Sequence, residues 1–539
     1  MRERDERVLA DLVQIRAEQK PDLDVLTFEH LSLVRGESRD EVRTFAELTT
    51  NANRIAAALV ARGMAPGDRY ALMMRNHPEF VEAMIAASIT GCVFVPIDPR
   101  TRGEKLAFML RDAGCRGVIC ADYVLRQVVT ARRGNSDLGW VLALESGEED
   151  DILPLAETDG VESLGEVLSK PAATLEVRLR TPMDPLQIIY TSGTTGDPKG
   201  IVFPNARFGA YAALGMIAGY QPGDRPYTGL SLSHGNAQAV TLGPSLAMGL
   251  RAVFSRRFTK SKLWDVCRRY DCTTFSLLGG MATAIYSEPE RSDDADNPVR
   301  RVTSAGMPAA IWESFARRFD VEILEWYAAV EGGLAFNPVG VGPVGSFGKA
   351  PPTLEMKILD ENDQACAPGV QGEICSRQVD GTVASVEYHE NPKASEEKTR
   401  GGWLRSGDIG HTDQEGWLFF DYRKGGGIRH NGDFVNVGFV EKAIAEVPAV
   451  TDVFVYGVEA ASGAPGEKDV VAAIVPADAA TFSAREIFKA CRHTLEANFV
   501  PSYLQVVDEI PKTASEKPQE RFLLADFARD AANVFTEAC

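Results

Sequence analysis

No stretch of this 539-residue chain stays apolar for the ~20 residues that a membrane-spanning helix needs. The longest apolar passage, Ala83 to Ile97 ("AMIAASITGCVFVPI"), is broken by Gly91 and reads as a helix, a glycine cap and a buried strand. An excess of positive charge is also missing: 57 Lys and Arg stand against 76 Asp and Glu, a net charge of -19. That balance favours solubility and argues against a nucleic-acid surface, so any polyanion must be held by a local cluster. The nine cysteines include no C-x-x-C pair, which excludes the usual zinc and dithiol motifs and predicts buried free thiols in a reducing compartment. The first twenty residues, "MRERDERVLADLVQIRAEQK", lack the apolar core of a signal peptide, and the expected location is the cytoplasm. There is no internal repeat and no low-complexity linker.

What is present is an ordinary globular composition, 45% hydrophobic and 25% charged, in a chain too long for one core. From Thr44 to Ile97 helical and strand periodicities alternate. A helix with apolar Ile55, Leu59 and Val60 ends near Gly63, "RYALMM" follows as a strand, and Pro78 opens the next helix. The alternation predicts an α/β sheet with helices on its faces. Acidic, turn-rich passages at Glu148 to Glu162 and Glu288 to Asn297 read as surface loops. The sharpest change of composition is "YRKGGGIRHNG", Tyr422 to Gly432, where consecutive glycines interrupt strand-like segments. Beyond it a helix near Phe439, strands "VTDVFVYGV" and "DVVAAIVPA", and a helix over "AREIFKACRHTLEANF" suffice for a small α/β domain. The expected organisation is therefore 1–424 as a large N-terminal domain and 425–539 as a small, mobile C-terminal one.

The most distinctive string is "YTSGTTGDPKG", Tyr190 to Gly200, which follows the strand-like "QIIY" and so leaves a sheet end. Its glycines let successive N–H groups form an anion-binding concavity, while hydroxyls and Lys199 add donors and a positive charge. It is not a P-loop: the spacing G-x-x-x-x-G-K-[ST] fails because Pro198 stands five residues after Gly193. Taken alone, a run of Gly, Ser and Thr is equally a flexible polar turn.

The whole string resembles the phosphate-loop motif of the adenylate-forming superfamily, which includes acyl- and aryl-CoA ligases, peptide-synthetase adenylation domains and luciferases. Further pieces of that resemblance follow in order. "TFAELTTNANRIAAALVARGMAPGDRYALMMRNHPEF" is similar to the family's N-terminal region. "WYAAVEGG" stands where it carries Tyr-Gly-x-Thr-Glu, "WLRSGDIG" resembles Trp-x-x-Thr-Gly-Asp, and "PKTASEKPQERFLL" resembles Pro-Lys-Thr-x-x-Gly-Lys. "SLSHGNAQ" and "SAGMPAAIWESFARRF" look most like bacterial CoA ligases of the carnitine- and aryl-activating kind.

The resemblance implies an acyl-CoA synthetase using ATP, Mg²⁺ and coenzyme A on a small-molecule carboxylic acid, with a homodimer as one expected assembly. Thr191, Ser192, Gly193, Thr194, Thr195 and Lys199 would cradle the β- and γ-phosphates. Glu331 would ligate Mg²⁺ through oxygen. Tyr327 would lie against adenine, with a core tyrosine as the alternative. Asp408 would accept hydrogen bonds from both ribose hydroxyls, and Arg423 would reach the nucleotide. Lys517 would bridge carboxylate and phosphate oxygens during adenylation, although "ASEKPQER" alone reads as surface charge. His234 would stand at the acyl-pocket entrance, where amino-acid-activating relatives carry Asp. Gly279, Gly280, Met281, Ala305 and Met307 would line the acyl pocket and Gly306 would meet the nucleotide, in segments that end with Pro308 and whose small residues could equally serve backbone packing.

Three positions depart from the family pattern. Val330 replaces the motif threonine, Glu516 replaces the glycine before Lys517, and Gly425 opens a glycine triplet where relatives carry Asp or Lys. The triplet predicts a hinge at which the C-terminal domain turns between two half-reactions. Two other readings stand beside the ligase. One is a stand-alone adenylating enzyme that loads a carrier protein; the other is a weakly catalytic nucleotide-binding homologue, motivated by Val330 and Glu516.

Overall fold

The computed structural model describes residues 3–31, 40–148, 152–191, 198–329, 331–383, 386–389, 391–423, 428–430, 433–435, 437–461, 468–495, 497–513 and 516–537. The chain divides into two compact units, residues 1–276 with 386–397 and residues 277–385 with 398–539. The expected boundary at 424/425 and the hinge glycine Gly425 lie outside the described residues.

The first unit is built on a seven-stranded sheet in the order Val161–Ser163, Trp140–Leu144, Cys115–Ala121, Arg69–Met73, Val93–Pro96, Pro185–Thr191, Lys199–Pro204. Every neighbouring pair is parallel except the final hairpin. Local sequence accounts for the regular part. The helix Phe45–Ala61 begins with a capping box in which Thr44 Oγ1 accepts from Glu47 N at 3.2 Å and Glu47 Oε2 accepts from Thr44 N at 2.8 Å. Its Phe45, Leu48, Ile55 and Leu59 are buried on one face. The helix Pro78–Thr90 has Pro at its first position and ends on Gly91 at φ +72°, a left-handed cap that suits glycine. The strand Val93–Pro96 then enters the apolar core. Four further strands of this unit pair side by side in the order Glu41–Thr44, Asp24–Glu29, Ala252–Ser255 and Pro226–Thr228.

Three groups of paired strands in the second unit matter here. Arg301–Ala305 and Glu322–Ala329 run parallel, and Gly332–Asn337 returns antiparallel to the latter. A five-stranded antiparallel sheet orders Ser346–Gly348, Leu418–Arg423, Leu404–Thr412, Gly372–Gln378 and Leu354–Leu359. Near the C-terminus Val450–Glu459, Lys468–Pro476, Tyr503–Val506 and Val534–Phe535 form a four-stranded sheet. The helices Val437–Ala445 and Ala484–Thr494 share an apolar core with that sheet.

Three expectations change. The last predicted helix ends at Thr494 rather than Phe499, because Leu495 is extended (ψ 153°) and lets Phe499 and Val500 turn into the core. The acidic passage 148–162 is not all surface loop: Val161–Ser163 adds an edge strand to the sheet, and the Glu148 side chain is buried between Arg75 and Arg256. In the passage 288–297, Asp294 is buried and accepts from Arg318 Nε at 2.7 Å. Acidic composition signals loops only where no buried arginine waits for the carboxylate. Eight cysteines, 92, 115, 120, 267, 272, 366, 375 and 491, are free thiols, and all but Cys366 are buried. Cys539 lies outside the described residues. Burial pushes the Cys115 thiol up to about 12, which keeps it protonated and inert. Among the described residues no helix is long and apolar enough to cross a membrane.

Candidate active site

In the first unit the phosphate-loop string is the tip of the hairpin between Pro185–Thr191 and Lys199–Pro204, with Thr191 opposite Lys199 and Tyr190 opposite Gly200. Ser192, Gly193, Thr194 and Thr195 lie outside the described residues, as does the side chain of Thr191. The arms are firmly anchored. The Tyr190 hydroxyl donates to Asp112 Oδ2 at 2.5 Å, and Lys199 Nζ sits 5.6 Å from the centroid of the Tyr388 ring. The outer arm is covered by the segment around Tyr388. Val202 N donates to the Glu387 carbonyl at 3.0 Å, and His389 N donates to the Gly200 carbonyl at 2.7 Å.

His234, in the same unit, is partly buried in a turn whose N–H donates to the Ser231 carbonyl at 2.9 Å. Its Nδ1 accepts from Asn236 N at 3.2 Å, which places the proton of a neutral ring on Nε2. A π-helical turn, Ala237–Leu242, follows at once and runs into the helix Gly243–Met248. Such widened turns recur at functional sites. Asn76, unassigned by the sequence reading, fixes the strand end that leads here. Its Nδ2 donates to the Leu230 and Ser255 carbonyls at 2.9 and 2.8 Å, and its Oδ1 accepts from Leu232 N at 2.8 Å. An uncompensated Asn at that fully buried place would be costly, so the three bonds lock the loop conformation.

In the second unit Tyr327, Glu331, Asp408, the Gly279 and Gly306 segments and Lys517 are all present. Tyr327 stacks on Phe347 with centroids 4.6 Å apart, and its hydroxyl donates to Asp408 Oδ2 at 2.7 Å. The ring therefore packs in the core, the plainer of the two readings of this tyrosine, while its hydroxyl holds the Asp408 carboxylate. Asp408 is buried, its N–H held at 3.0 Å by Ser406 Oγ, and it pairs in register with Arg423 on the neighbouring strand. Of Arg423 only the backbone is described. Glu331 is buried and forms an ion pair with Lys398 at 3.0 Å. Val330 lies outside the described residues. Among the described residues no cluster of three or more His, Cys, Asp or Glu side chains forms a metal site. One carboxylate still fits Mg²⁺, which takes one or two protein carboxylates and completes its shell with phosphate oxygens and water.

The glycines have a steric explanation. Gly306 adopts φ +94°, and a Cβ at Gly279 would overlap the Gly306 carbonyl oxygen, so the two segments touch backbone to backbone. Met281 and Met307 are buried beside them. The turn is held from below by Glu325, a second residue the sequence reading missed. Its fully buried carboxyl accepts from the Gly306 N–H and, at 3.1 Å, from the Met307 N–H. Burial pushes that carboxyl up to about 8, against the opposing pull of the two N–H groups. A glutamate inside the otherwise buried run Ile323 to Trp326 was the available signal.

Lys517 is exposed in a tight turn closed by Thr513 N donating to the Lys517 carbonyl at 2.8 Å and by Lys517 N donating to Thr513 Oγ1 at 3.2 Å. Glu516, where the motif has glycine, takes φ +57° in the left-handed region. Its carbonyl oxygen would stand 3.1 Å from a Cβ at Gly280, so the lysine turn lies against the Gly279–Gly280 segment.

A family model described as AMP-binding enzyme matches residues 13–384, and one described as AMP-binding enzyme C-terminal domain matches 440–517. Crotonobetaine/carnitine–CoA ligase of Salmonella choleraesuis (strain SC-B67) is 27% identical over 486 residues, 88% of this chain and 91% of that one. The enzyme of the same name from Salmonella typhi shows the same identity and coverage. Among solved structures, an anthranilate CoA ligase with bound anthranoyl-AMP superposes with a TM-score of 0.80 at 22% identity, covering 96% of each chain. A benzoate CoA ligase from Burkholderia xenovorans LB400 gives 0.78 at 22% identity, covering 96% of this chain and 99% of that one. The fold is that of the adenylate-forming CoA ligases. With more than half of its length matched by the first model, the chain belongs to the AMP-binding enzyme family.

Proposed function

We propose that the chain is an ATP- and Mg²⁺-dependent acyl-CoA ligase acting on a small-molecule carboxylic acid. The observation that carries the reading is the grouping in one compact unit of Asp408 tied to Tyr327, the carboxylate Glu331, and the Lys517 turn against the Gly279–Gly280 segment. In the first half-reaction a substrate carboxylate oxygen attacks the α-phosphorus of ATP, the bond to the bridging oxygen breaks, and pyrophosphate leaves. Lys517 supplies a positive charge to the oxygens on both sides of the new bond. Asp408 binds the ribose hydroxyls, Lys199 and the hairpin tip bind the outer phosphates, and Glu331 would hold Mg²⁺, which supplies neutralising charge on the phosphates. In the second half-reaction the CoA thiolate attacks the acyl carbonyl and AMP departs. His234 stands by the acyl group. Residues 1–424 would serve as the adenylation domain and 425–539 as the mobile one, turning at Gly425. We further propose a cytoplasmic enzyme, in keeping with its free buried thiols.

The relatives' names span a quaternary-ammonium acid and aryl acids, and the test is a panel of both kinds with ATP, Mg²⁺ and CoA, reading pyrophosphate and thioester. Lys517→Ala is expected to lower adenylate formation by about a hundredfold or more while sparing thioester formation from a supplied acyl-adenylate. An intact adenylation rate in that variant would remove Lys517 from the mechanism. Phosphopantetheine on a carrier protein, offered in place of CoA, distinguishes a carrier-loading enzyme.

A further inference from the structure

The carboxylate assigned to the metal is already held by a cation of the chain itself. Lys398 Nζ lies 3.0 Å from Glu331 Oε1 and donates at 3.2 Å to the Ser406 carbonyl. Neither side chain is a surface group: they are 15% and 8% exposed. Ser406 in turn donates from Oγ to the Ile374 carbonyl at 2.6 Å and receives Asp408 N at 3.0 Å. One ammonium therefore ties Glu331 to the strand bearing Asp408, two residues further on. None of the sequence motifs includes this lysine, which stands in "ASEEKTR".

We propose that Lys398 is a positioning residue that fixes Glu331 and competes with Mg²⁺ for the same carboxylate. The inference rests on the reading of Glu331 as the metal ligand. The competition follows from elementary electrostatics. Mg²⁺ needs an oxygen at ~2.0–2.1 Å with near-octahedral geometry. A divalent ion that close to Glu331 would face the ammonium across a few ångströms in a partly dry site, where like charges repel far more than in water. The metal enters only as the ammonium turns away, and the flexible four-carbon stem allows that. Lys398 thus keeps Glu331 in place before the nucleotide arrives and reduces the affinity the metal adds.

The test is equilibrium binding of ATP with EDTA and of ATP with Mn²⁺, without carboxylic acid so that no adenylate forms. Isothermal titration calorimetry gives the ratio of the two Kd values, and Mn²⁺ electron paramagnetic resonance reports the metal directly. Lys398→Gln keeps a donor for the Ser406 carbonyl but removes the charge, and should raise the metal's contribution roughly tenfold. Lys398→Met should do the same without the donor, and Lys398→Arg should stay near wild type. The double variant with Glu331→Gln should match Glu331→Gln alone. If Glu331→Gln lowers the ratio but Lys398→Gln and Lys398→Met leave it unchanged, Lys398 is a structural ion-pair partner only and the proposal fails. If Glu331→Gln itself leaves the ratio unchanged, the metal assignment fails instead.

Discussion

At the scale of single residues, two glutamates carry the clearest consequences. Glu325 receives two successive N–H groups from the Gly306 turn, a task for two carboxyl oxygens. Glu325→Gln offers one carbonyl oxygen and turns an NH₂ toward the other donor, which should cost about 1–3 kcal/mol and raise KM for ATP more than it lowers kcat. The pH dependence has a definite sign. The carboxyl is raised from 4.5 to about 8, so the stability it contributes is complete below 4.5 and is lost as pH rises through about 8. Thermal midpoints from pH 5 to 9 should fall more steeply for wild type than for the Gln variant. Glu516 occupies a left-handed conformation at φ +57° next to Lys517. Glu516→Gly should stabilise the chain by about 0.5–1 kcal/mol in denaturant titrations, since glycine reaches that conformation without a Cβ penalty. Unchanged stability would mean that bonds made by Glu516 offset the strain.

At the scale of elements, the candidate residues stand where regular structure ends or widens. Thr191 and Lys199 end the paired arms of a hairpin, His234 precedes a π-helical turn, and Gly306 links the strand Arg301–Ala305 to the helix Ala309–Phe319. Binding residues concentrate at such places, where a rigid scaffold ends and a loop begins. The strand Leu418–Arg423 runs into the glycine triplet, and the proposed hinge there has a direct test. Gly425→Pro fixes φ near −65°. Adenylate formation, read by pyrophosphate release, should survive, while thioester formation should drop by about tenfold or more. Equal loss of both half-reactions would exclude a turning element at this position.

At the scale of the whole molecule, stability carries the imprint of buried charge. Glu79 and Glu82, one turn apart on the helix Pro78–Thr90, are both buried and share Arg43 at 3.2 and 2.7 Å. Burial first, and the neighbouring carboxylate second, raise Glu79, because one guanidinium cannot neutralise two acids. Its contribution is present at low pH and lost as pH rises through the elevated value. Glu79→Gln should therefore gain about 1 kcal/mol in global unfolding at pH 8.5 and little at pH 5. How much of this was legible beforehand follows the same division between local and distant causes. The capping box at Thr44, the proline start at Pro78 and the glycine cap at Gly91 are local rules, and they set those helices where the periodicity placed them. The site motifs are contiguous strings and were readable as such. Asn76, Glu325 and Lys398 were not, because each acts on a segment distant in the chain, and their neighbours look like ordinary strand or surface sequence. Burial of Glu148 escaped for the same reason: its arginines lie at 75 and 256. The cover over the hairpin's outer arm has one more consequence, for anyone dividing the chain. Residues 386–397 belong with the first unit, where Glu387 and His389 use up the hydrogen-bonding edge of Gly200 and Val202. Cutting after residue 384 would strip that cover and bare an unsatisfied strand as a template for another molecule's, so such a fragment should self-associate edge to edge instead of behaving as a monomeric domain.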